Sequence, residues 1–481
     1  MIKLRNFFII ILCYILFFEN FSAGVFAREE FIPDIYRVEA GPAKAEPVPY
    51  KEKIENLKDE DTLSLEDCIK IALENHPELK SAVALKTASH ARVTQAYSNY
   101  YPQISYSANY DRNEGRQPYD PVYNPIVGGT SSGSDSYFTG FSLRQNIYDF
   151  GRTHHQVIIA RENLKASQYD LFVDLDRVIF EIRQAYFQAI AAERALEISI
   201  QALEQRELQL KYARNFYEIG RRAKIEVTKA EVDVANAQLE VIKARNNINL
   251  ARINLAKTMG IDDYIEESLE TDTRMTEKEM SMDTALDLAN KFRPELLKFK
   301  SQVSAQKASV DLARAQYYPR ITSSASYGFN HQTSQFRNRS WGWGVQLSFD
   351  VLTSGYRSAN VREKKYLLVS YKERQERLWQ DISSEVKSVY LNLTEARARI
   401  AVLEKALVTA RENFELARGR YEAGLSTNLE YSDAQLALQQ AENDLVSAVL
   451  DYQIAQSQLE RTTGVTVISD NLQDELESLK N

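Results

Sequence analysis

The chain has 481 residues but only 17 glycines and 11 prolines, and its formal net charge is −8. So little glycine and proline excludes a series of compact, turn-rich domains, because these two residues punctuate short elements. The acidic balance without a basic patch offers no electrostatic footprint for nucleic acid. Residues 126–293 and 320–481 contain no proline, so helices can run there without interruption.

The N-terminus has the pattern of a secretory signal. Lys3 and Arg5 precede an apolar stretch at 7–18, and the small residue Ala27 marks the expected cleavage edge. This stretch is too short to cross about 30 Å of hydrocarbon as a helix, so a signal is preferred over a membrane anchor. We therefore predict a signal peptide at 1–27 and an N-terminal segment at 28–61.

The next element is a helix with a break. The pattern predicts a helix at 65–100 that is interrupted at His76-Pro77, because the residue before a proline is pushed out of the α region. A strand follows Tyr101-Pro102, in which apolar and small polar residues alternate: Ile104, Tyr106, Ala108 and Tyr110 against Ser105, Ser107 and Asn109. The segment 111–136, rich in proline and glycine, is predicted to be an irregular loop.

A second strand begins near Tyr137, and its counterpart later in the chain alternates more clearly. There the apolar face contains Trp341, Trp343, Val345, Leu347, Phe349 and Val351, and the other face contains glycine and polar residues. Such alternation over about ten residues is typical of a transmembrane barrel strand. An ordinary half-buried strand alternates in the same way, and alternation alone favours that alternative. A short loop is predicted at 330–339.

Two long helices show a seven-residue repeat of apolar residues. The first runs over 152–217 and the second repeats the pattern up to Tyr421, which predicts left-handed coiled-coil packing. About 65 helical residues extend about 100 Å. Shorter helices are expected to run back at 224–258 and 428–462, each continued end to end by 65–100 or 282–317. Heptads alone more often indicate a structural rod or fibre than a conduit.

The chain is an internal duplication. Residues 62–110 match 279–327 at an offset of 217, and from Ser136 onward the offset is 204. A single 13-residue difference in length between the two halves explains this change of offset. We predict a first repeat at 62–261, a linker at 262–278, a second repeat at 279–465 and a tail at 466–481.

The strand count limits how the strands could enter a membrane. Two strands per repeat give four, whereas the smallest membrane barrels need about eight and lipid does not tolerate open edges. If these strands cross a membrane, several chains must pool them. The attached long helices would then leave the barrel as a continuous tube, which is the architecture of a transport duct.

The chain resembles the TolC-like outer membrane efflux protein family. The resemblance covers about 62–465 and rests on 75–79 (Asn-His-Pro-Glu-Leu), on the Tyr-Tyr-Pro before each first strand and most specifically on 420–435. It implies a mainly α fold with a small β part. It further implies a homotrimer whose twelve strands form a barrel in outer-membrane lipid, continued by a periplasmic coiled-coil tunnel. Its partners would be a periplasmic adaptor and an inner-membrane pump or ABC transporter.

The resemblance also indicates where the gate lies. The periplasmic entrance would be formed by Glu226, Tyr421, Ser426, Glu430 and Asp433, and the adaptor would dock on turns at Gly220, Arg221, Gly424 and Leu425. Carboxylate rings in a narrow pore favour cations. Ser426 occupies the position where the family has an arginine. The contact that holds the entrance closed would therefore be weaker, or would use Arg221 or Arg222. Without the family, Glu430 and Asp433 are equally well explained as a solvated helix face.

The sequence contains no motif for catalysis, a metal or a cofactor. We therefore expect a passive export duct for an efflux or type I secretion system and no enzyme activity. The alternative is a secreted coiled-coil structural or adhesive protein with a small β-domain. The cargo cannot be read from the sequence, because selection in such a duct would lie mainly with the pump.

Overall fold

The structure is a computed structural model that describes residues 62–116, 131–262, 265, 267–270, 280–332 and 335–465. The predicted signal peptide, the segment 28–61, most of the linker and the tail lie outside the described residues. The described elements, in chain order, are β1 Thr62–Leu63, α1 Leu65–Asn75, α2 Pro77–Tyr97, β2 Gln103–Arg116, β3 Ser131–Tyr148, α3 Arg152–Glu218, α4 Lys224–Thr258, β4 Ser268–Leu269, α5 Met282–Phe292, α6 Pro294–Ala315, β5 Arg320–Gln332, β6 Gln335–Ser348, α7 Tyr356–Glu422 and α8 Asn428–Thr463.

The fold is mainly helical with a small sheet, and the order of its elements repeats. Each half has two short helices, two strands, a 67-residue helix and a helix of 35 or 36 residues. A serine caps the first helix of each half, Ser64 and Ser281, by accepting from a backbone amide. Proline stands at the first position of α2 and α6, where its missing donor costs nothing. Among the described helices, none combines the length and apolar character needed to cross a membrane.

The shorter helices of each half meet end to end. Gly260 follows α4 in the left-handed region at φ 75°, and a Cβ there would lie 2.9 Å from the Cα of His76, the cap between α1 and α2. Gly464 follows α8 in the same conformation, and its Cβ would lie 2.8 Å from backbone atoms of Phe292. Only glycine permits this close approach with positive φ. Thus α4 ends against the break between α1 and α2, and α8 ends against the break between α5 and α6.

The core lies where the short helices cover the middle of the long ones. In the second half it consists of Ala285, Ala289, Leu296, Ile382, Val386, Val389 and Leu459. In the first half the hydroxyl of buried Tyr186 donates to the carbonyl oxygens of Leu63 and Glu270, which ties the parallel pair β1–β4 to α3. Burial raises the pKa of the free thiol of Cys68 in this core.

The four long strands form one antiparallel sheet in the order β2-β3-β5-β6, so β3 and β5 join the two halves. The strands are longer than predicted. Residues 111–116 and 131–136, predicted as loop, continue the β2–β3 ladder, and residues 330–332 and 335–339 of the second predicted loop belong to β5 and β6. The prediction was wrong there because backbone groups pair in the ladder whether or not the side chains alternate.

The two faces of the sheet differ in chemistry. One face holds large apolar side chains that are exposed in the single chain, led by Trp341 at 71 % and Trp343 at 76 %. On the same face Tyr106 packs on its cross-strand neighbour Phe141, with ring centroids 5.1 Å apart. The other face carries mostly serine, asparagine and glycine. The apolar face therefore has no partner within the described part of the chain.

Each sheet hairpin turns into its long helix over two residues with positive φ. Phe150 and Gly151 precede α3 at φ 54° and 87°, and Ser354 and Gly355 precede α7 at 47° and 83°. Arg152 ties the first turn of α3 to the other half by donating to the carbonyl oxygens of residues 315, 316 and 318. The sheet is thereby fixed to the ends of the helices.

Candidate functional site

The long helices turn back at two tips with nearly identical backbones. We call α3, its turn and α4 the first hairpin, and α7, its turn and α8 the second. Gly220 and Gly424 end the long helices at φ 74° and 73°. The amide of the next residue, Arg221 or Leu425, donates to the carbonyl five residues earlier at 2.9 Å, which closes a Schellman turn. Both Arg221 and Leu425 are exposed at the tip.

Arg222 joins the two hairpins. Its Nη1 donates to both carboxylate oxygens of Glu226 at 3.1 Å, and its Nη2 donates to the carbonyl oxygen of Ser426 at 2.6 Å. Its guanidinium carbon also lies 5.7 Å from the ring centroid of Tyr421. Of the two arginines considered from the sequence, Arg222 reaches the second hairpin, whereas Arg221 is exposed. At the duplication offset, Arg222 is the counterpart of Ser426 itself.

Tyr421 is fully buried between the hairpins. Its ring stacks on Tyr431 of α8 at 5.2 Å and meets Phe216 of α3 edge-on at 6.2 Å. Burial raises the pKa of Tyr421, and the nearby carboxylate of Glu226 raises it further. The Tyr421 hydroxyl has no hydrogen-bond partner among the described residues. Within one chain this tyrosine therefore connects the helices through its ring and not through its hydroxyl.

The contact between the hairpins continues away from the tip with a seven-residue spacing. At the tip Phe216 meets Tyr421 of α7, and further along two facing pairs between α3 and α8, Gln209 with Asn428 and Ala202 with Gln435, are seven residues apart on both helices. This is the geometry of an antiparallel coiled-coil seam. The seam contains buried amides as well as apolar side chains, and it was not predicted from the sequence.

Gln209 is the centre of a buried polar layer in this seam. It is 1 % exposed and donates to Asn428 Oδ1 and, at 3.2 Å, to Ser432 Oγ. Arg206 donates to the same Ser432 hydroxyl at 3.0 Å and lies 3.9 Å from Asp233. Buried amides that bond each other fix the register of a coiled coil at some cost in stability. The signal in the sequence was a glutamine at the seam position between Ala202 and Phe216.

The predicted acids lie in different environments. Glu226 is paired with Arg222, as described above. Glu430 accepts from Ser426 Oγ at 2.6 Å, lies 4.0 Å from Arg420 Nη2, and its side chain is 54 % exposed. Asp433 is exposed one turn further along α8. The site therefore brings Glu226, Tyr421, Ser426 and Glu430 together around Arg222, while Asp433 and the tip residues Gly220, Arg221, Gly424 and Leu425 remain outside this cluster.

The chain belongs to the outer membrane efflux protein family, whose sequence model matches residues 68–261 and 285–465. It is accordingly an outer-membrane transport protein of the TolC type, which confirms the resemblance and the location predicted from the sequence. The family consists of channel-forming outer membrane proteins and is not an enzyme family.

Individual relatives match over most of their length. The chain is 22 % identical over 406 residues to outer membrane protein TolC of Vibrio cholerae, covering 82 % of this chain and 89 % of that protein. It is 23 % identical over 418 residues to the alkaline protease secretion protein AprF of Pseudomonas aeruginosa, covering 84 % and 85 %. Among solved structures, the Campylobacter jejuni CmeC outer membrane channel matches with a TM-score of 0.71 at 16 % identity, covering 90 % and 91 %.

Proposed function

We propose that the chain is the outer-membrane duct of a tripartite efflux or type I secretion system. In this proposal it forms a passive exit tube that is closed at its helical tips. A periplasmic adaptor and an inner-membrane pump or ABC transporter open it by docking there. The observation that carries the proposal is a sheet with an exposed apolar face and two open edges, joined directly to two 67-residue helices.

The open edges support a homotrimer. Within the described residues, β2 and β6 each have one strand partner, so each presents an unpaired row of backbone groups. Such edges are not tolerated in lipid, and four strands are too few to close a barrel. Pairing β6 of one copy with β2 of the next removes every edge. Three copies would give twelve strands, with the apolar face toward lipid and the polar face toward the lumen.

The helices support a long tube below this barrel. A helix of 67 residues is about 100 Å long. Because α3 and α7 start within a few residues of the strands, a closed barrel would continue into a ring of helices. The end-to-end pairs α4–α2 and α8–α6 supply helices of comparable length beside them. We assign this tube to the periplasm and its tips to the entrance.

The cluster around Arg222 is our candidate for the latch of that entrance. Its hydrogen bond to the Ser426 carbonyl and its position on the Tyr421 ring both cross from the first hairpin to the second. We propose that Arg222 replaces the arginine absent at position 426. Glu430 and Asp433 would face the pore, and the exposed turns at Gly220, Arg221, Gly424 and Leu425 would receive the adaptor. Docking would then favour separated hairpins as a shift in population.

We assign the choice of cargo to the pump. AprF is named for protease secretion, and OpmQ of Pseudomonas aeruginosa, which is 23 % identical to this chain, is named for pyoverdine export. Proteins of this family thus carry names from both secretion and small-molecule export.

Planar-bilayer recording of the detergent-solubilised protein tests the duct. We expect unheated protein to migrate as a trimer, and insertion of this trimer to give discrete conductance steps that are small until the tips are opened. The matched control is a variant without β2 and β3, residues 103–148, which leaves two strands per chain. A water-soluble rod with no conductance would contradict the duct and favour a secreted coiled-coil structural protein.

A further inference from the structure

The polar face of the sheet is lined by small, uncharged side chains over most of its length. Cross-strand neighbours on this face are Ser105 with Ser142, Ser107 with Gly140, Ser326 with Gly342 and Ser324 with Gly344. A Cβ added at Gly344, in the row of Arg144, would meet nothing within 4 Å, so the space above this part of the face is open. A charged side chain on this part of the face has no oppositely charged side chain at the neighbouring serine and glycine positions.

Two arginines are the exceptions near the helical end of the sheet. Arg144 on β3 is exposed and stands between Gln103 and Ser324 in the ladder. Arg320, the first residue of β5, is exposed and pairs with Ser348. It lies four residues below Ser324, or about 14 Å along the strand. Both guanidinium groups therefore project from the same face, in a zone that extends about 14 Å along the strands.

Neither arginine is neutralised by a described carboxylate. From the row of Gln103 to the row of Asn109, the polar face contains no acidic residue among the described positions. The acids at the nearby junction have other partners: Asp149 accepts from the Thr153 amide at 2.8 Å, and Asp350 pairs with Arg357 at 3.1 Å. The positive charge of the zone is thus available to a solute.

We propose that Arg144 and Arg320 form an anion-binding collar where the lumen of the barrel meets the helical tunnel. The inference rests on the proposed trimeric duct, in which three copies would place six guanidinium groups in two rings of three, about 14 Å apart along the pore. Arginine forks bind phosphate and carboxylate through paired charge-assisted hydrogen bonds, so the ligand class is a multivalent oxyanion or a cargo segment carrying such groups. Rings of arginine in a pore favour anions.

The collar is distinct from the acidic tip. Glu430 and Asp433 are exposed carboxylates near the tip, at the opposite end of the 67-residue helices. A pore with acids at one end and arginines at the other has two sites of opposite selectivity. An anion added on the barrel side reaches the collar first, whereas a cation added on the tip side reaches the acids first.

Block of the conducting trimer by inorganic tripolyphosphate, added on the barrel side, tests the collar. We expect micromolar or millimolar block of the full-length wild-type protein. The double variant Arg144→Gln/Arg320→Gln should weaken it by about tenfold or more, the loss expected when a charge-assisted hydrogen bond is removed. The double lysine variant Arg144→Lys/Arg320→Lys keeps the charge and should retain most of the block. Arg339→Gln is the matched control, because Arg339 is an exposed arginine on the opposite, apolar face, 5.9 Å from the Phe329 ring centroid.

The outcomes separate the collar from the duct. A conducting wild-type trimer whose tripolyphosphate block is the same in the glutamine variant would overturn the collar alone. Equal weakening in Arg339→Gln would also overturn it, because the effect would then come from overall surface charge. A wild-type protein that forms no conducting trimer would overturn the duct and the collar with it. If the double glutamine variant fails to assemble, each single glutamine variant provides the same comparison with wild type and with the lysine variant.

Discussion

The two helical hairpins share one backbone and carry different side chains. Their turns have the same glycine conformation and the same closing hydrogen bonds. At equivalent positions, however, Tyr217 is 44 % exposed whereas Tyr421 is fully buried, and the first hairpin has Arg222 where the second has Ser426. The arginine of one hairpin donates to the carbonyl of its own counterpart in the other. The two hairpins therefore have the same backbone but different roles in this contact: the first supplies the donor, Arg222, and the second supplies the acceptor, the carbonyl oxygen of Ser426.

Replacing the buried tyrosine should destabilise the contact between the hairpins most strongly. Tyr421→Ala removes a ring that packs on both Tyr431 and Phe216, and emptying such a site costs about 3 kcal/mol or more. Tyr217→Ala, at the equivalent but exposed position, should cost no more than about 0.5 kcal/mol. Hydrogen exchange of amides at 411–438 measures the difference. We expect exchange to accelerate about a hundredfold in Tyr421→Ala.

Tyr421→Phe is the control for the hydroxyl. Because that hydroxyl has no partner among the described residues, the phenylalanine variant should exchange at the wild-type rate. Equal acceleration in the variants at positions 217 and 421 would show that burial does not distinguish the hairpins. Acceleration in Tyr421→Phe would show that the assembled protein gives the hydroxyl a partner.

Replacing Arg222, the donor of the contact between the hairpins, should give the next largest effect. Arg222→Ala removes the hydrogen bond to the Ser426 carbonyl and the contact with the Tyr421 ring, which together are worth about 2 kcal/mol. If these contacts hold the entrance closed, the open probability of single channels in a planar bilayer should rise about thirtyfold. Arg221→Ala, one residue away and exposed, should leave it unchanged.

Exchanging the residues at positions 222 and 426 tests whether the arginine must lie on the first hairpin. The variant Arg222→Ser/Ser426→Arg moves the arginine to the second hairpin without changing composition. Restored closure would mean that either hairpin can supply the donor. An unchanged open probability in Arg222→Ala would remove this arginine from the latch.

Much of the fold could be predicted because it depends on local patterns. The duplication, the proline breaks and the heptads of α3 and α7 are visible in one-dimensional spacing, and glycine marks the turns because positive φ requires it. The strand ends at 111–116 and 131–136 could not be predicted, since ladder pairing depends on the partner strand and not on the local sequence.

The candidate site was predicted only in part for a related reason. Family resemblance indicated Tyr421, Ser426 and Glu430, but the choice of Arg222 over Arg221 depends on which way the turn presents each side chain. Gln209 was missed because a buried glutamine and an exposed one look alike in a polar helix until the facing Asn428 is known. Contacts between the hairpins span about 200 residues of sequence, and no local pattern encodes them.

We expect the smallest effect from replacing the acidic residues near the tip, whose environments differ between the two hairpins. Glu226 is paired with Arg222 at 3.1 Å, whereas Glu430 is half-exposed and 4.0 Å from Arg420, and Asp433 is exposed, so among these three acids the two of the second hairpin are the more open to solvent. Glu430→Ala/Asp433→Ala should therefore reduce cation selectivity in a salt gradient and weaken block by divalent cations added on the tip side. Asp444→Ala is the matched control, since this exposed acid lies on the same helix about 16 Å further from the tip. A reversal potential and divalent block that match wild type in the double variant would remove both acids from the pore and leave them as a solvated helix face.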